Sequence, residues 1–427
     1  MAKRRTPELL EDFMRRLLFG IGTGLTAGYT LYRLGQAIGA LRSRKPLFTK
    51  DAVRYGRIRR NLEVANSLRS IAVAAALSEG GFGKRLEQLT GPLAPALRAP
   101  VLIAAGLIAD ALVELPASYI EDYELERRFA LSDQAAAAWL SDQLKALGIS
   151  SALMAVISVP FATLLRRKPN TWPLFATLAL VPFFVLMGLI VPVYVAPLFN
   201  KFEPLEGPLE ERLRRLASRF GVGDAAILRM DMSRQTKKAN AYVTGLFGTH
   251  RIVVGDTLLK SFPDEETEFV VAHELGHYVA HDSWRLCAFG TVVAGMTFWL
   301  SNLAMPPRER AYDRSDALYR LYVRMVLTSA LLRPVLFAFT RSREWAADRF
   351  AVATTRAPLT GCAAFTRLRE QNLAEDEIPA WYELLFSTHP SLGKRIAALR
   401  RNAADTPSEQ NGRVHRPEPT GEVGLTR

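Results

Sequence analysis

The sequence predicts a mainly α-helical protein that crosses the membrane about six or seven times and carries an inserted domain with a small β-sheet. Three observations support this fold class. Hydrophobic residues make up 49% of the 427 residues, and charged residues make up only 23%. Several apolar runs approach the roughly 20 residues that a membrane-spanning helix needs. A long segment between two of these runs has amphipathic helical and short strand patterns, which are typical of a folded domain.

Six apolar runs are candidate spans. Trp172 to Leu198 is the strongest of them, because so long an apolar run is hard to place in a soluble core. A weaker seventh candidate, Asn61 to Leu77, fits an amphipathic helix equally well. Leu17 to Leu41 is interpreted as a retained span, since no small-residue cleavage site closes it. The remaining runs are Val101 to Ile120, Ile149 to Leu165, Trp284 to Met305 and Leu321 to Phe339.

Charge and cysteine content exclude other classes. The net charge is +13, but the basic residues are scattered through loops that flank the apolar runs, so we expect a lipid bilayer partner and no nucleic acid. The two cysteines, Cys287 and Cys362, are too few for a disulfide framework or a thiolate metal site.

The segment after Leu198 is the inserted domain. Residues Pro204 to Phe220 have apolar positions at helical spacing, and Gly221 follows as a stop signal. Ala226 to Met232 and Arg251 to Val254 are predicted to be short strands. The segment Ala239 to Gly245 precedes the second strand, and the turn between them suggests a hairpin.

The HExxH pattern of His273, Glu274 and His277 lies within an apolar helical run. Residues four apart share one helical face, so both imidazoles can bind one zinc ion while Glu274 acts as a general base on a water molecule. We therefore predict a zincin-type metalloprotease domain with one Zn²⁺ per chain. The small Gly276 keeps the helix thin where another element can approach.

A third protein ligand is required, and Glu344 is the preferred candidate. Glu344 and Asp348 are spaced i,i+4 on a predicted helix, so Glu344 can bind the metal while Asp348 orients an imidazole. The alternative His281 lies about 12 Å from His273 along a continuous helix, which is too far for a shared ion. An ordinary solvated helix face is the other interpretation of the acidic pair.

Two further features suggest contacts with a peptide or protein substrate. An edge strand ahead of the metal helix can hold a substrate extended through backbone hydrogen bonds, and Asn240 and Tyr242 are candidates for such contacts. His389 precedes Pro390, and an imidazole held by this turn is a candidate for stabilising the transition state. A turn asparagine and a surface histidine are the alternative interpretations. Asn402 to Arg427 has little apolar content and is predicted to be disordered.

Several ordered motifs together resemble the integral-membrane gluzincin zinc metalloproteases of the CAAX prenyl protease 1 type, from about Leu115 to Leu399. The motifs are Leu115 to Tyr119, Glu124 to Phe129, Pro197 to Leu205, Asn240 to Tyr242, Arg251 to Leu259, His273 to His277, Arg341 with Glu344 to Asp348, and His389 with Pro390.

This resemblance implies specific roles. It implies zinc bound by His273, His277 and Glu344, with Glu274 as the base. It also implies His389 near the transition state, Asn240 and Tyr242 on the substrate backbone, and about seven spans around a chamber, which favours counting Asn61 to Leu77 as a span.

Two departures bear on the substrate. The family's usual histidine two residues before Asn240 is Lys238 here, and the usual Gly-Phe-Asn is replaced by Ala130-Leu-Ser132. A composition rich in alanine and arginine favours a bacterial inner-membrane protein, and the resemblance implies that the catalytic domain lies on the cytoplasmic face. The expected function is a metalloendopeptidase. A quality-control protease without a prenyl requirement is the alternative, and a non-catalytic membrane scaffold is a weaker one. The oligomeric state does not follow from the sequence.

The expected domain organisation places the protease domain in two separate segments of the chain. The segments are 1–198, N-terminal transmembrane helices; 199–283, protease domain with the HExxH helix; 284–340, two further transmembrane helices; 341–401, the C-terminal part of the protease domain; and 402–427, a disordered tail.

Overall fold

A computed structural model describes residues 51–79, 82–246, 248–310, 312 and 314–405. The predicted span Leu17 to Leu41 lies outside the described residues. The last helix continues to Asp405, four residues into the predicted tail, and residues 406–427 also lie outside the described part.

The N-terminal half consists of long helices. They are α1 (Ala52–Glu79), α2 (Phe82–Thr90), α3 (Pro95–Ser118), α4 (Ala136–Arg167) and α5 (Trp172–Ile190). Two of these helices continue as wider turns, α3 through the π-helix Tyr119–Leu125 and α5 through the π-helix Val191–Val195.

The rest of the chain alternates between the inserted domain and two more long helices. Its elements are β1 (Phe202–Pro204), α6 (Pro208–Ser218), β2 (Ala226–Met230), β3 (Ala241–Thr244), β4 (Arg251–Gly255), α7 (Asp256–Ser261), α8 (Asp264–Val279), α9 (Asp282–Leu303), α10 (Ser315–Thr355), α11 (Pro358–Gln371), α12 (Ala380–Phe386) and α13 (Leu392–Asp405).

Five helices among the described residues are long and apolar enough to cross a membrane, and the protein is an integral membrane protein. Their apolar side chains face outward; on α5, for example, Leu174 and Leu178 are 60% and 61% exposed. Such surface is stable only where hydrocarbon replaces water. The five segments are Pro100–Arg128, Ala136–Arg167, Trp172–Leu198, Asp282–Leu303 and Asp316–Thr355.

These segments confirm the predicted fold class. They contain four of the six predicted runs in full and Trp284 to Met305 as far as Leu303, and Leu17 to Leu41 is the run outside the described residues. The weak candidate Asn61 to Leu77 lies inside α1, which is a helix but is not among the five. Sequence analysis underestimated the length of the second segment, because Ala136 to Gly148 mixes polar residues into the first turns of α4.

The inserted domain contains a four-stranded sheet in the order β1-β2-β4-β3. The strands β2 and β4 are parallel, with Ala226 opposite Arg251, while β3 is antiparallel to β4. The predicted hairpin is therefore present, and β3 is an edge strand. The three-residue strand β1 was not predicted, because so short a segment carries no readable alternation.

The domain core surrounds α8. Phe269, Val271, Ala272 and Leu275 are fully buried and pack with residues of the sheet, α6, α11 and α13. One hydrophobic core thus contains residues from before α9 and from after α10. The domain can form only when α9 and α10 bring these two parts of the chain together.

The helix α10 runs without interruption for 41 residues, from a membrane span into this domain. It packs closely on α8 at Gly276, where a Cβ atom would lie 3.1 Å from both the Cα atom of Ala347 and the ring of Phe350. This contact confirms that a small residue is needed where another element approaches.

We predict that Gly276→Leu separates α8 from α10. Overpacking of this kind typically costs about 1–3 kcal/mol of stability. The thermal unfolding midpoint in detergent and the bound metal content should both fall. Gly148→Leu on α4 is the matched control, because a Cβ atom there meets nothing within 4 Å. Equal midpoints and equal metal contents in the two variants would contradict this packing role.

Candidate metal centre

The helix α8 supplies two histidines to the site. It begins after Pro263, and Asp264, Glu265 and Glu266 occupy its first turn, where negative charge stabilises a helix N-terminus. One turn separates His273 from His277, and their rings meet edge to face with centroids 4.9 Å apart. Both imidazoles therefore face the same side of the helix.

The carboxylate of Glu344 on α10 lies between the two imidazoles. Its Oε2 is 3.5 Å from Nε2 of His273, and its Oε1 is 3.4 Å from Nε2 of His277. Two ligands bound about 2.1 Å from one tetrahedral ion lie roughly 3.4 Å apart. The ligand atoms of the three residues all lie within 4.8 Å of one another, so the spacing fits a metal ion.

An unsatisfied polar atom supports this fit. Oε2 of Glu344 is buried, and no hydrogen bond from a described residue reaches it. Nη1 of Arg395 lies 3.3 Å away without the geometry of a hydrogen bond. Because buried carboxylate oxygens are costly to leave unpaired, a cation between Glu344 and the imidazoles would satisfy this atom.

Each histidine is oriented by a second carboxylate. Oδ1 of Asp348 lies 2.9 Å from Nδ1 of His273, and Oδ2 of Asp282 lies 2.9 Å from Nδ1 of His277. When the Nδ1–H group donates a hydrogen bond to a carboxylate, the lone pair of Nε2 is free for a metal. The sequence predicts a role for Asp348, but it does not indicate one for Asp282.

Two arginines hold these carboxylates in turn, and sequence analysis missed both. The buried Arg395 donates to both oxygens of Asp348, at 2.9 and 2.6 Å, and lies 4.2 Å from the ring centre of Phe365. Nε of Arg343 donates to Oδ1 of Asp282 at 2.6 Å. For Arg395, the available signal in the sequence was a single arginine on the buried side of α13.

The alternative ligand His281 is not part of this cluster. It has φ 53° and ψ 39°, a left-handed conformation that ends α8 and starts α9. Among the described residues, the one group with metal-ligand spacing consists of His273, His277 and Glu344. The turn at His281 instead brings Asp282 back to His277.

Charge in the site depends on the histidines and their carboxylate partners. Burial and the neighbouring Arg395 charge would lower the pKa of the His273 imidazole, but the adjacent carboxylates of Asp348 and Glu344 raise that pKa to about 9. Burial raises the pKa of the Glu274 carboxyl, although His273 and His277 lower it in part. A carboxyl with a raised pKa is a stronger proton acceptor at neutral pH than an ordinary one.

His389 lies beside the metal ligands on an exposed loop. Its side chain is 62% exposed, and its Nε2 is 3.3 Å from Oε1 of Glu344. Arg341 holds this loop, because its Nη1 donates to the carbonyls of Glu383 and Ser387, both at 2.7 Å. Thr340 also donates to the carbonyl of Thr388 at 3.0 Å. The imidazole is therefore placed at the site and remains accessible.

The edge strand β3 packs against the metal helix. Asn240 immediately precedes β3 and is exposed, and its carbonyl accepts a hydrogen bond from the Gly255 amide at 2.9 Å. The Tyr242 hydroxyl is directed to the sulfur of Met230 at 3.8 Å. The structure thus places Asn240 at an accessible position, and it directs the Tyr242 hydroxyl towards β2.

Lys238, where the family usually has histidine, connects the domain to the membrane helices. Its Nζ lies 2.8 Å from both the Tyr55 hydroxyl and Oε1 of Glu126. Burial lowers the pKa of the Lys238 amine, although Glu126 raises it in part. The residue forms a structural bridge between α1, the end of the first span and the segment that leads into β3.

Comparisons with known proteins agree with one another. Residues 204–403 match the family model "Peptidase family M48", and residues 46–201 match "CAAX prenyl protease N-terminal, five membrane helices". The chain is 29% identical to the uncharacterized metalloprotease YhfN of Bacillus subtilis, over 67% of this chain and 69% of that protein. It is 27% identical to CAAX prenyl protease 1 of Saccharomyces cerevisiae, with the same two coverages.

A solved structure has the same fold. The crystal structure of Ste24p from S. mikatae matches with a TM-score of 0.73 and 22% sequence identity. The match covers 90% of this chain and 98% of that one. The membrane helices and the inserted domain are therefore shared as one arrangement.

We predict that Asp282→Asn and Asp348→Asn each weaken metal binding about 10- to 100-fold, because an amide no longer fixes the imidazole as a carboxylate does. The measurement is competition against a chelator of known affinity. Asp133→Asn is the control, since its carboxylate is exposed and pairs with Lys237. An affinity equal to wild type in the Asp282 variant would show that this carboxylate does not orient His277.

Proposed function

The chain belongs to peptidase family M48 and is a membrane-embedded metalloprotease, and on this basis we propose that it hydrolyses peptide bonds with one zinc ion per chain. His273, His277 and Glu344 would hold the ion. The observation that carries the proposal is the convergence of these three ligand groups from α8 and α10 within 4.8 Å.

The donor set favours zinc over other divalent ions. Two imidazole nitrogens and one carboxylate oxygen form a three-ligand set that leaves a fourth position open, as in catalytic zinc sites. Magnesium and calcium prefer sites made entirely of oxygen atoms. A zinc ion supplies Lewis acidity, which polarises a carbonyl and lowers the pKa of water towards neutrality.

Glu274 is the proposed general base. Its carboxylate interacts electrostatically with His273, His277, Glu344 and Arg395, so it lies within the same cluster. It would accept the proton of the attacking water and later deliver a proton to the leaving amine. The raised pKa of Glu274 suits a group that must both accept and release a proton near neutral pH.

His389 is the proposed stabiliser of negative charge on the reacting carbonyl oxygen. Its exposed imidazole lies beside Glu344, and Arg341 and Thr340 hold the loop that carries it. A donor held before the reaction begins costs little reorganisation when charge develops. Asp348 is proposed to act through His273 and is therefore a positioning residue.

The substrate is proposed to bind as an additional strand on β3. One side of β3 pairs with β4, and its other side has no strand partner among the described residues. Backbone hydrogen bonds to this edge would hold an extended peptide beside α8. Asn240, at the start of the strand, would contact the substrate backbone, and Tyr242 would contribute through its main chain.

Two substrate classes are candidates. The yeast relative is named for CAAX prenyl protease 1, which makes cleavage of prenylated proteins the first candidate. The second is cleavage of unmodified segments of membrane or misfolded proteins. One residue favours the second substrate class. Lys238 replaces the usual histidine, and its amine is hydrogen-bonded to Tyr55 and Glu126.

The proposed location is a bacterial inner membrane with the catalytic domain on the cytoplasmic side. α10 is a membrane span that continues directly into the segment carrying Glu344, so the site lies close to the membrane surface. A long domain between spans is only weakly governed by the charge of flanking loops, so the basic loops do not decide its side.

A non-catalytic scaffold is the competing function from a different class. A scaffold needs neither a general base beside the ligand histidines nor an accessible edge strand. The chain retains Glu274 and the complete ligand set, and carboxylates orient both histidines. These features favour catalysis.

We predict that Glu274→Gln retains about one zinc ion per chain but loses peptidase activity, because an amide cannot accept the proton of the attacking water. Glu344→Ala should lose both the metal and the activity. Metal content is measured by elemental analysis, and activity is measured on a fluorogenic peptide with and without chelator. Wild-type turnover by the Glu274 variant would refute the proposed mechanism, and full metal content in Glu344→Ala would refute the ligand set.

We predict that the catalytic domain is protected from an impermeant thiol reagent in intact cells. A Glu265→Cys variant is made in a background without Cys287 and Cys362, since the Glu265 side chain is 60% exposed on α8. The new thiol should react only after lysis, because the reagent cannot cross the inner membrane. Labelling in intact cells would place the domain on the outer side instead.

A further inference from the structure

The backbone just before the edge strand β3 is held by side chains from distant parts of the sequence. β3 pairs with β4 from Ala241 onwards, and one further bond joins the Gly255 amide to the Asn240 carbonyl at 2.9 Å. Ala239, one residue earlier, is buried. Because buried backbone groups are costly to leave unpaired, its N–H and C=O groups both need partners from elsewhere in the fold.

Asn372 supplies both partners. Its Oδ1 accepts a hydrogen bond from the Ala239 amide at 2.8 Å, and its Nδ2 donates to the Ala239 carbonyl at 3.2 Å. One side chain thus makes the pair of bonds that a residue of a neighbouring antiparallel strand would make. An asparagine suits this position, because it carries an acceptor and a donor on one planar group.

Two further side chains hold the two preceding residues. Thr257 of α7 donates to the Lys238 carbonyl at 2.7 Å, and Gln371 donates to the Lys237 carbonyl at 2.7 Å. Three successive backbone positions directly before Asn240 are therefore fixed by side chains.

The helix that precedes Asn372 is fixed to the metal helix. Asn372 follows α11 directly. α11 packs closely on α8, because a Cβ atom on Gly361 would overlap the ring of Phe269. Phe365 of α11 meets Phe269 edge to face, and its ring centre lies 6.3 Å from that of His273. The position of Asn372 is therefore set by the helix that carries two of the candidate metal ligands.

The helix α1 supports the same place from another side. Leu373, directly after Asn372, has φ 49°, so the chain turns at the end of α11. The Leu373 side chain is buried in a cluster with Tyr55 and Leu62 of α1. The Tyr55 hydroxyl also accepts a hydrogen bond from Lys238 at 2.8 Å. Both sides of the asparagine contact therefore pack against α1.

We propose that Asn372 is a positioning residue for substrate binding, which fixes Asn240 and β3 at the distance from the metal ligands that an extended peptide requires. This inference rests on the proposed protease function and on binding of the peptide to β3. A peptide bound to one strand is placed only as well as that strand, and a misplacement of about 1 Å can cost roughly 100-fold in rate. Because Asn372 is not a metal ligand, its loss should weaken peptide binding and leave the metal in place.

The first experiment measures peptide binding without turnover. In a Glu274→Gln background, the dissociation constant of a fluorescent peptide that the wild type cleaves is measured by anisotropy. Asn372→Ala should raise this constant about 10-fold, because both bonds to Ala239 are lost. Asn372→Asp keeps the size of the side chain and the acceptor but loses the donor, so its constant should also rise. Zinc content should equal that of the parent protein in both variants.

Asn302→Ala is the matched control for a purely structural role. The Asn302 side chain also makes two buried bonds, accepting from the Trp172 indole at 2.9 Å and from the Tyr312 hydroxyl at 3.0 Å. Its loss should lower the thermal unfolding midpoint and leave the peptide dissociation constant unchanged. The same pattern in both Asn372 variants would overturn the proposal. A loss of bound zinc in both would also overturn it, because Asn372 would then stabilise the metal site instead.

The second experiment compares two inhibitors of the active enzyme. Acetohydroxamate can bind only the metal, whereas a peptide that ends in a hydroxamate also binds along β3. Asn372→Ala should weaken the peptide hydroxamate about 10-fold and should change acetohydroxamate little. Equal weakening of both inhibitors would overturn the positioning role.

The outcomes separate this inference from the proposed function. Absence of metal-dependent cleavage by the wild type would refute the protease function, and this inference with it. Cleavage with wild-type KM in both Asn372 variants would refute the positioning role alone.

Discussion

The candidate metal site depends on the close contact between α8 and α10. Gly276 has no side chain, so the backbone of α10 near Ala347 approaches the histidine-bearing helix directly. That approach brings the Glu344 carboxylate to 3.4–3.5 Å from both imidazoles. A wider helix separation would leave two histidines and a carboxylate that cannot share an ion. The ligand set is therefore a consequence of helix packing rather than of any single loop.

The same contact ties the candidate metal site to the membrane-spanning helices. α10 is one unbroken helix that begins as a membrane span and ends as a wall of the protease domain. α9, the neighbouring span, starts at the turn directly after α8, where Asp282 holds His277. Because the candidate ligands are attached to spans on both sides, the site is held next to the membrane-spanning segments.

Each buried charged side chain in the site lies next to a partner of opposite charge. Glu344 and Asp348 are buried together with the Arg395 side chain, which lies within ion-pair distance of both carboxylates and over the ring of Phe365. A buried charge without a partner would cost several kcal/mol of stability, so each charged side chain depends on the partner beside it. A divalent ion between the histidines and Glu344 would complete the balance. The arrangement also fixes the imidazole orientation before a metal binds, which reduces the reorganisation that binding requires.

Local patterns in the sequence determined much of this protein, and tertiary packing determined the rest. The HExxH helix, the i,i+4 pair Glu344 and Asp348 and the apolar runs follow from the helical period and the width of a bilayer, so the family and the fold class could be predicted from them. The roles of Asp282 and Arg395 could not be predicted. Asp282 reaches His277 only because the chain reverses at the left-handed His281, and Arg395 reaches its partner from 47 residues away. Contacts across such distances depend on how α9 and α10 bring the two parts of the domain together. No local sequence pattern predicts that arrangement.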